Sequence, residues 1–164
     1  MDWGRLFLSA EGRIGQKDYW IGVLILIGLW IVSHLAHIFA PLIWLVLIWP
    51  WICVYAKRLH DFNKSGWMIL LPVVVGCVCL IGAIVIGGAA ALGAVFAAFN
   101  EGGSDTGTWM AVLSALGVAA AFLGVAGVVK LIFLLWVGLS TGDAAPNRYG
   151  PPPGVAAQTP PAVV

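Results

Sequence analysis

The sequence predicts an all-α integral membrane protein with four transmembrane helices, arranged as two antiparallel hairpins with both the N and C termini in the cytoplasm. Three observations predict this class: 62% of the 164 residues are hydrophobic, only 9% are charged, and the apolar residues lie in long runs. A typical soluble domain has about 25% charged residues, and a soluble fold of this size cannot remove so much apolar surface from water. The composition excludes an ordinary soluble enzyme, a disordered chain and a nucleic-acid-binding protein with a basic face.

The first two helices are predicted over residues 19–40 and 41–57. Residues 19–40 contain no Lys, Arg, Asp or Glu, and a helix of this length crosses a hydrocarbon core of about 30 Å. We interpret residues 1–18 as a cytoplasmic, amphipathic juxtamembrane segment. Their mixed charge, and the lack of a small-residue cleavage site after the first apolar run, favour an uncleaved first helix over a signal peptide. Pro41 suits the first turn of the second helix, and Pro50 should kink it.

The third and fourth helices are predicted over residues 66–99 and 108–140, which completes a transmembrane domain of residues 19–140. Both are longer than a bilayer core requires, so they should tilt, break or protrude, with Gly87-Gly88 as a break point. Small residues spaced four apart permit close backbone approach in lipid and predict that these two helices pack tightly as a hairpin. The pairs are Ala83–Gly87, Ala89–Gly93, Gly93–Ala97 and Ala120–Gly124.

The positive charges predict the orientation. Lys and Arg concentrate in cytoplasmic loops of membrane proteins, and all eight lie on, or lean toward, one predicted side. They are Arg5, Arg13, Lys17, Lys57, Arg58, Lys64, Lys130 and Arg148. The pattern places the link between helices two and three in the cytoplasm of a multi-pass protein. Residues 141–164, which contain six of the nine prolines, are expected to form a largely disordered cytoplasmic tail.

Residues whose side chains could bind a ligand or take part in a reaction concentrate in three segments at this predicted cytoplasmic face. The first leads into helix one, the second joins helices two and three, and the third begins the tail. The candidate cluster is Arg13, Lys57, Arg58, His60, Asp61, Lys64, Asn147, Arg148 and Tyr149.

Local spacing within the second segment predicts specific pairs. If helix two extends by one further turn, Asp61 lies one turn from Lys57 and Arg58 and can pair with either. A neighbouring carboxylate would help to keep His60 charged. The turn that follows offers Ser65 as the N-cap of helix three.

Two interpretations of the cluster stay open. In one, the basic residues only set the topology and Asp61 neutralises them. In the other, Arg13, Arg58 and Arg148 converge on a phosphate, such as an anionic lipid headgroup. Basic residues are expected beside membrane helices in any case, which favours the first interpretation.

The three segments resemble the domain-of-unknown-function 805 family of bacterial inner-membrane proteins of the YhaH type. The resemblance rests on Phe7…Gly12-Arg13…Tyr19-Trp20, Lys57-Arg58-Leu59-His60-Asp61…Lys64-Ser65-Gly66-Trp67 and Asn147-Arg148-Tyr149-Gly150-Pro151. It spans nearly the whole chain and implies a four-helix protein of the bacterial inner (cytoplasmic) membrane, without implying an activity. Lys57 stands where the family pattern has Arg, and this departure argues against a bidentate anion contact there.

Other polar residues in the apolar runs carry weaker signals. His34 and His37 lie one turn apart and could begin a metal or haem site, but a zinc site needs at least three protein ligands, so interfacial histidines are favoured. Lys130 lies near the end of its run and should snorkel toward the cytoplasm. No metal and no cofactor is predicted.

Three functions follow from these observations. The sequence favours a protein that is not an enzyme, but a non-catalytic scaffold or a subunit of a membrane assembly. The alternative is a transporter or lipid-handling protein that binds an anionic headgroup at the cluster; an enzyme that uses His60 and Asp61 for acid–base work ranks third, because no nucleophile is evident. The expected partners are the phospholipid bilayer, an anionic lipid headgroup, and a membrane protein or a second copy in a homo-oligomer; no nucleic acid is expected.

Overall fold

The computed structural model describes residues 2–35, 39–101 and 106–154, and its regular structure within these ranges is helical throughout. The elements are α1 (Trp3–Leu8), α2 (Gln16–Leu35), α3 (Ala40–Asp61), a 3₁₀ turn (Gly66–Ile69), α4 (Leu70–Gly82), a π-helical turn (Ala83–Gly87), α5 (Gly88–Glu101) and α6 (Thr106–Leu139).

Four helices in the described ranges are long and apolar enough to cross a membrane. They are Gln16–Leu35, Ala40–Asp61, Gly66–Asn100 and Thr106–Leu139. Large apolar side chains on them point outward, and lipid rather than water accommodates such a surface. The predicted all-α membrane class with four spans is confirmed, while the pairing into hairpins and the side of the termini stay predictions.

The observed helices differ from the predicted ones at the end of α3 and at Gly87-Gly88. α3 continues to Asp61, one turn beyond residue 57, and Pro41 lies in its first turn as expected. Pro50 lies inside α3, with helix on both sides. The expected break at Gly87-Gly88 is wrong, because the helix widens into the π turn and resumes at once as α5.

The C-terminal segment also differs from expectation. Residues 141–154 do not extend away from the helices as a disordered tail, because main-chain hydrogen bonds bind this segment to the end of α3 and close a turn within it. Residues 155–164 of the expected tail lie outside the described residues, as do residues 102–105 of the polar turn and His37.

The described residues form two compact units. The first comprises the described residues within 1–69 and 135–154, and the second those within 70–134. In the first unit, α2 and α3 approach closely because Gly22 has no side chain: a Cβ there would lie 3.2 Å from a methyl group of Val54. Gly138 at the end of α6 likewise leaves room for the ring of Tyr19, which is fully buried.

In the second unit, the helices pack closely at glycine residues. Gly82 faces the ring of Phe122 so closely that a Cβ would lie 2.7 Å from it, and Gly87 faces Ala119 in the same way at 3.2 Å. Of the four small-residue pairs expected at this contact, only Ala83–Gly87 lies there. Gly93 and Gly124, from the other three pairs, face open space, since beyond the helix's own backbone no atom of the described residues lies within 4 Å of a Cβ position there.

Candidate functional site at Asp61

The candidate site is built around the carboxylate of Asp61, at the C-terminal end of α3. Its side chain is 3% exposed and both oxygens accept hydrogen bonds from arginines. Oδ1 lies 3.1 Å from Arg13 Nε and 3.0 Å from Arg13 Nη2, and Oδ2 lies 2.5 Å from Arg58 Nη1. Two buried cations thus share one buried anion, and of the two partners that the spacing allowed, Arg58 is the one that pairs.

Arg13 joins the C-terminal segment to α3 through main-chain carbonyls. Its Nη1 donates to the carbonyl oxygens of Ala145 at 3.0 Å and Gly150 at 3.2 Å. Its Nη2 donates to those of Asp61 at 3.0 Å and Asp143 at 2.5 Å. A guanidinium presents its N–H groups in a rigid plane, which allows one side chain to hold several acceptors at once. All three nitrogens of Arg13 are engaged within the chain.

Arg58 connects α3 to the end of α6. Its Nε donates to the carbonyl oxygen of Val137 at 3.2 Å and its Nη2 to that of Ser140. The last carbonyls of a helix lack partners within the helix and carry the negative end of its dipole, so a buried guanidinium is favourable there. Its Nη1 also lies 3.5 Å from the carbonyl oxygen of Ile14, in the segment before α2.

The end of α3 explains why Asp61 lies at this corner. The amide of Lys64 donates to the carbonyl of Leu59 at 2.9 Å, and that of Asn63 donates to the carbonyl of His60 at 3.1 Å. This pattern ends a helix with a residue in the left-handed conformation, here Asn63 with φ 57°. Gly66 then brings the next element back against α3, since a Cβ there would lie 3.3 Å from His60 Nε2.

The C-terminal segment folds back onto Asp61 through two residues that are not in the predicted cluster. The amide of Asp143 donates to the carbonyl oxygen of Asp61 at 2.8 Å. Gly142 passes so close that a Cβ there would lie 2.7 Å from Asp61 Cγ. The sequence pattern could have indicated both residues, because a Gly-Asp pair soon after the last apolar run suggests a turn beside a polar contact.

Asn147 organises the turn that follows. Its Nδ2 donates to the carbonyl of His60 at 2.9 Å and to Asp143 Oδ2 at 3.1 Å. Its Oδ1 accepts from the amide of Tyr149 at 2.9 Å, and its main chain pairs with that of Gly150 in both directions, at 3.0 and 3.1 Å. One amide side chain therefore fixes the turn internally and binds it to α3.

His60 contributes a ring contact rather than a charge. Its imidazole stacks on Tyr149 with centroids 3.7 Å apart and planes 8° apart, and its Nδ1 lies 3.2 Å from the carbonyl oxygen of Gly12. The expectation that a neighbouring carboxylate keeps His60 charged is wrong, because both oxygens of Asp61 bind arginines. For the same reason the two side chains do not form an acid–base pair.

We use the name Asp61 corner for the connected group of side chains just described. Its members are Arg13, Arg58, His60, Asp61, Asp143, Asn147 and Tyr149. The structure thus brings together six of the nine predicted residues and adds Asp143.

Lys57 lies apart from the corner although it neighbours Arg58 in sequence. Its side chain is buried, and Nζ donates to the carbonyl oxygens of Arg5 and, at 2.7 Å, of Leu6. Lys57 therefore contacts α1 and not Asp61.

The second interpretation, in which three arginines converge on a phosphate, does not match the geometry. Arg13 and Arg58 point inward to Asp61 and to carbonyl oxygens, with side chains only 1% and 2% exposed. Arg148 is exposed and donates to the carbonyl oxygen of Asn63 at 3.2 Å, and Lys64 is exposed in the same turn. A carboxylate and main-chain carbonyls occupy the positions that phosphate oxygens would need.

The weaker sequence signals lie elsewhere. The ring of His34 contacts that of Trp30 edge-on, with centroids 4.4 Å apart. In the part of the chain that the structure describes, no three His, Cys, Asp or Glu side chains come close enough to hold a metal ion. Lys130 is exposed on α6, and its Cε lies 3.5 Å from the position of a Cβ on Gly76.

Comparison with known proteins places this architecture in a family. Residues 7–151 match the family described as Protein of unknown function (DUF805). The "Uncharacterized protein YiiR" of Escherichia coli strain K12 is 38% identical over 73 residues, which cover 40% of this chain and 50% of that protein, and its counterpart in strain O157:H7 matches equally. The chain thus spans about half the length of these curated relatives. No solved structure is similar to it.

The family match covers all three segments that meet at Asp61. With its four apolar helices and this match over most of its length, the chain belongs to the DUF805 family and is a multi-pass membrane protein.

Proposed function

We propose that this protein is a non-catalytic scaffold, or a structural subunit of a larger assembly, in the bacterial inner membrane. In this proposal the Asp61 corner and both termini face the cytoplasm, because the Lys and Arg residues lie on, or lean toward, that side. The corner holds its chain segments in one arrangement and presents its outer rim to a partner protein.

One observation supports the proposal most strongly: the polar groups of the corner bond to one another. Proton transfer needs a group that can reach a substrate, and anion binding needs free donors. The carboxylate of Asp61 and the guanidinium of Arg13 are engaged within the chain. Among the described residues, no buried side-chain nitrogen or oxygen lacks a partner. A buried network that is satisfied in this way rigidifies a structure.

The rim is the exposed surface beside the corner that a partner could contact. Asn63 and Arg148 are exposed there and line an open depression together with residues 143–147, and Lys64 is exposed next to Asn63 in the same turn. Two cations face outward while the carboxylate of Asp61 is buried. An acidic segment of another membrane protein, or of a second copy of this chain, complements such a rim.

Crosslinking in native membranes tests the scaffold proposal. The wild type is compared with the rim variant Lys64→Gln/Arg148→Gln and with a control variant, Arg5→Gln/Lys17→Gln, which removes two exposed cations away from the rim. We expect a discrete crosslinked species in the wild type and the control, and its loss in the rim variant. A chain that purifies alone in all three cases contradicts the proposal.

A second candidate function, binding of an anionic headgroup in transport or lipid handling, is favoured by the same two exposed cations. Native mass spectrometry of the detergent-purified protein, with phosphatidylglycerol and phosphatidylcholine offered together, separates it from the first. Selective retention of phosphatidylglycerol by the wild type and its loss in the rim variant, without any crosslinked species, favours lipid handling. Equal retention of both lipids by every variant removes this candidate.

The orientation is tested independently by reporter fusions. A reporter that is active only outside the cytoplasm should be silent when fused after Gly150 and active when inserted between residues 101 and 107. The opposite pattern contradicts a cytoplasmic corner.

A further inference from the structure

The short helix α1 lies alongside α3 rather than beyond its end. The carbonyl oxygen of Leu8 accepts a hydrogen bond from Trp49 Nε1 at 3.0 Å, and that of Leu6 accepts one from Lys57 Nζ at 2.7 Å. Trp49 and Lys57 are eight residues apart, or about 12 Å along a helix axis. The C-terminal end of α1 therefore lies nearer the middle of this membrane-spanning helix. The chain then returns, since the amide of Ile14 lies 3.4 Å from the carbonyl oxygen of Lys57.

Three of the four main-chain carbonyls at the end of α1 have protein donors, as a lipid environment favours. The last four carbonyls of a helix have no partner within the helix. In water they bind solvent, but in hydrocarbon each must find a donor in the protein. In α1 three of these four accept from side chains of α3: Arg5 and Leu6 from Lys57, and Leu8 from Trp49.

The side chains of α1 divide into an inner and an outer set. Leu6 is buried and lies 3.7 Å from the position of a Cβ on Gly22 of α2. Leu8 and Trp3 are 69% and 51% exposed, and the ring of Trp3 stacks on that of Phe7 with centroids 6.4 Å apart. Trp49, on the neighbouring face of a membrane-spanning helix, is also exposed. Aromatic rings concentrate at the boundary between lipid headgroups and hydrocarbon.

We propose that α1 is inserted into the lipid alongside α3, with Leu8 at the depth of Trp49, and that Lys57 holds it there. The occupant of the outer surface of α1 is lipid, because α1 runs alongside a membrane-spanning helix and three of its four terminal carbonyls accept from protein donors. Lys57 is thereby a positioning residue for α1, which explains why it does not join its neighbour Arg58 at Asp61. This proposal does not depend on the scaffold function.

Spin-label accessibility in vesicles of phosphatidylcholine and phosphatidylglycerol tests the depth of α1. A label is introduced by Leu8→Cys in the full chain, with the three native cysteines replaced by Ala and folding checked by gel filtration. Leu24→Cys, on the exposed side of α2, is the lipid reference and Lys64→Cys the aqueous reference. The ratio of oxygen to nickel-chelate accessibility at Leu8 should resemble that at Leu24 and lie several-fold above that at Lys64.

Each other result overturns the proposal. A ratio at Leu8 equal to that at Lys64 places α1 in water. Low accessibility to both reagents shows that protein, such as a second copy of this chain, covers α1 instead of lipid.

The role of Lys57 is tested in the same vesicles. Lys57→Met removes the donor while keeping a long chain, and it should shift the ratio at Leu8 several-fold toward the aqueous reference. Lys57→Arg keeps donors for the carbonyls of α1 and should leave the ratio unchanged, as should Lys64→Met. An unchanged ratio in Lys57→Met, or an equal shift in Lys57→Arg, contradicts the assigned role.

Discussion

The Asp61 corner and the helices of residues 70–134 are held together by different physics. In the corner, one carboxylate, two guanidinium groups and the carbonyls of several segments form a buried polar network. In residues 70–134, α4 and the π-helical turn meet α6 where Gly82 and Gly87 leave room for Phe122 and Ala119. The first contact depends on the identity of single side chains, and the second on the absence of side chains.

The difference between the regions predicts different responses to mutation. A buried charge that loses its partner is strongly destabilising, because the remaining charge is left in a medium of low polarity. An apolar contact loses only packing, and the neighbouring side chain can move to accommodate the change. Substitutions in the corner should therefore lower the free energy of unfolding by more than equally conservative substitutions in residues 70–134.

The largest effect is expected for Asp61→Asn. The substitution leaves Arg13 and Arg58 buried without a counter-charge, which should lower the free energy of unfolding by about 3–5 kcal/mol. Thermal unfolding of the detergent-solubilised protein measures the loss as a fall in Tm.

The control for this substitution is Asp18→Asn, which makes the same chemical change in the first turn of α2. It removes only a favourable interaction with the helix dipole, about 0.3–1 kcal/mol. Equal effects of the two substitutions would remove Asp61 from the centre of the site.

Glycine substitutions compare the two regions directly. Gly142→Ala places a Cβ against a carboxylate that arginines hold in place, so we expect a loss of about 1–3 kcal/mol. Gly82→Ala meets its nearest atom, in the ring of Phe122, at 2.7 Å, which is less close than the nearest carboxylate oxygen at Gly142; that ring can also rotate, so the loss should be smaller. Gly93→Ala faces open space and should leave Tm unchanged or raise it. A larger loss for Gly82→Ala than for Gly142→Ala would reverse the comparison.

A smaller effect is expected at the stacked rings. Tyr149→Leu removes the contact with His60 and should cost about 0.5–1.5 kcal/mol, whereas Tyr149→Phe keeps the ring and should match the wild type. Proteolysis of the C-terminal segment measures this local loss more sensitively than Tm. Equal cleavage rates in the two variants would show that stacking does not hold the segment.

The smallest effect is expected for Lys64→Gln. Lys64 is exposed in the turn after α3, and its structural contribution comes from its main-chain amide, which the substitution keeps. Tm should therefore not change measurably, and a fall comparable to that of Asp61→Asn would contradict the division between corner and rim.

The sequence predicts the fold class well because lipid imposes a simple rule. Long uncharged runs indicate four spans, and the lack of charge within residues 19–40 is visible without any tertiary information. Sequence reasoning does not predict which small-residue pairs touch: Ala83–Gly87 and Gly93–Ala97 have the same spacing, and only a neighbouring helix distinguishes them. The π turn at Ala83–Gly87 is likewise a consequence of packing that no local pattern indicates.

Most residues of the site could be predicted from the sequence, but the hydrogen bonds that they form could not. Spacing along one helix predicts that Asp61 pairs with Lys57 or Arg58, and the structure selects Arg58. It cannot predict that Arg13, 48 residues away, binds the same carboxylate, or that Lys57 turns to α1. The acceptors on Ala145 and Gly150 are main-chain carbonyls, which every residue has and no sequence pattern reveals.

The central claim is that Asp61 and Arg13 act as one unit that joins distant segments. A double-mutant cycle with Arg13→Gln and Asp61→Asn in unfolding titrations of the detergent-solubilised protein tests it most directly. Residues in contact within a buried network show coupling of about 0.5–3 kcal/mol, and we predict a value in the upper part of this range. A control cycle of Asp61→Asn with Lys17→Gln should be additive to within about 0.5 kcal/mol. Additivity in both cycles would contradict the account.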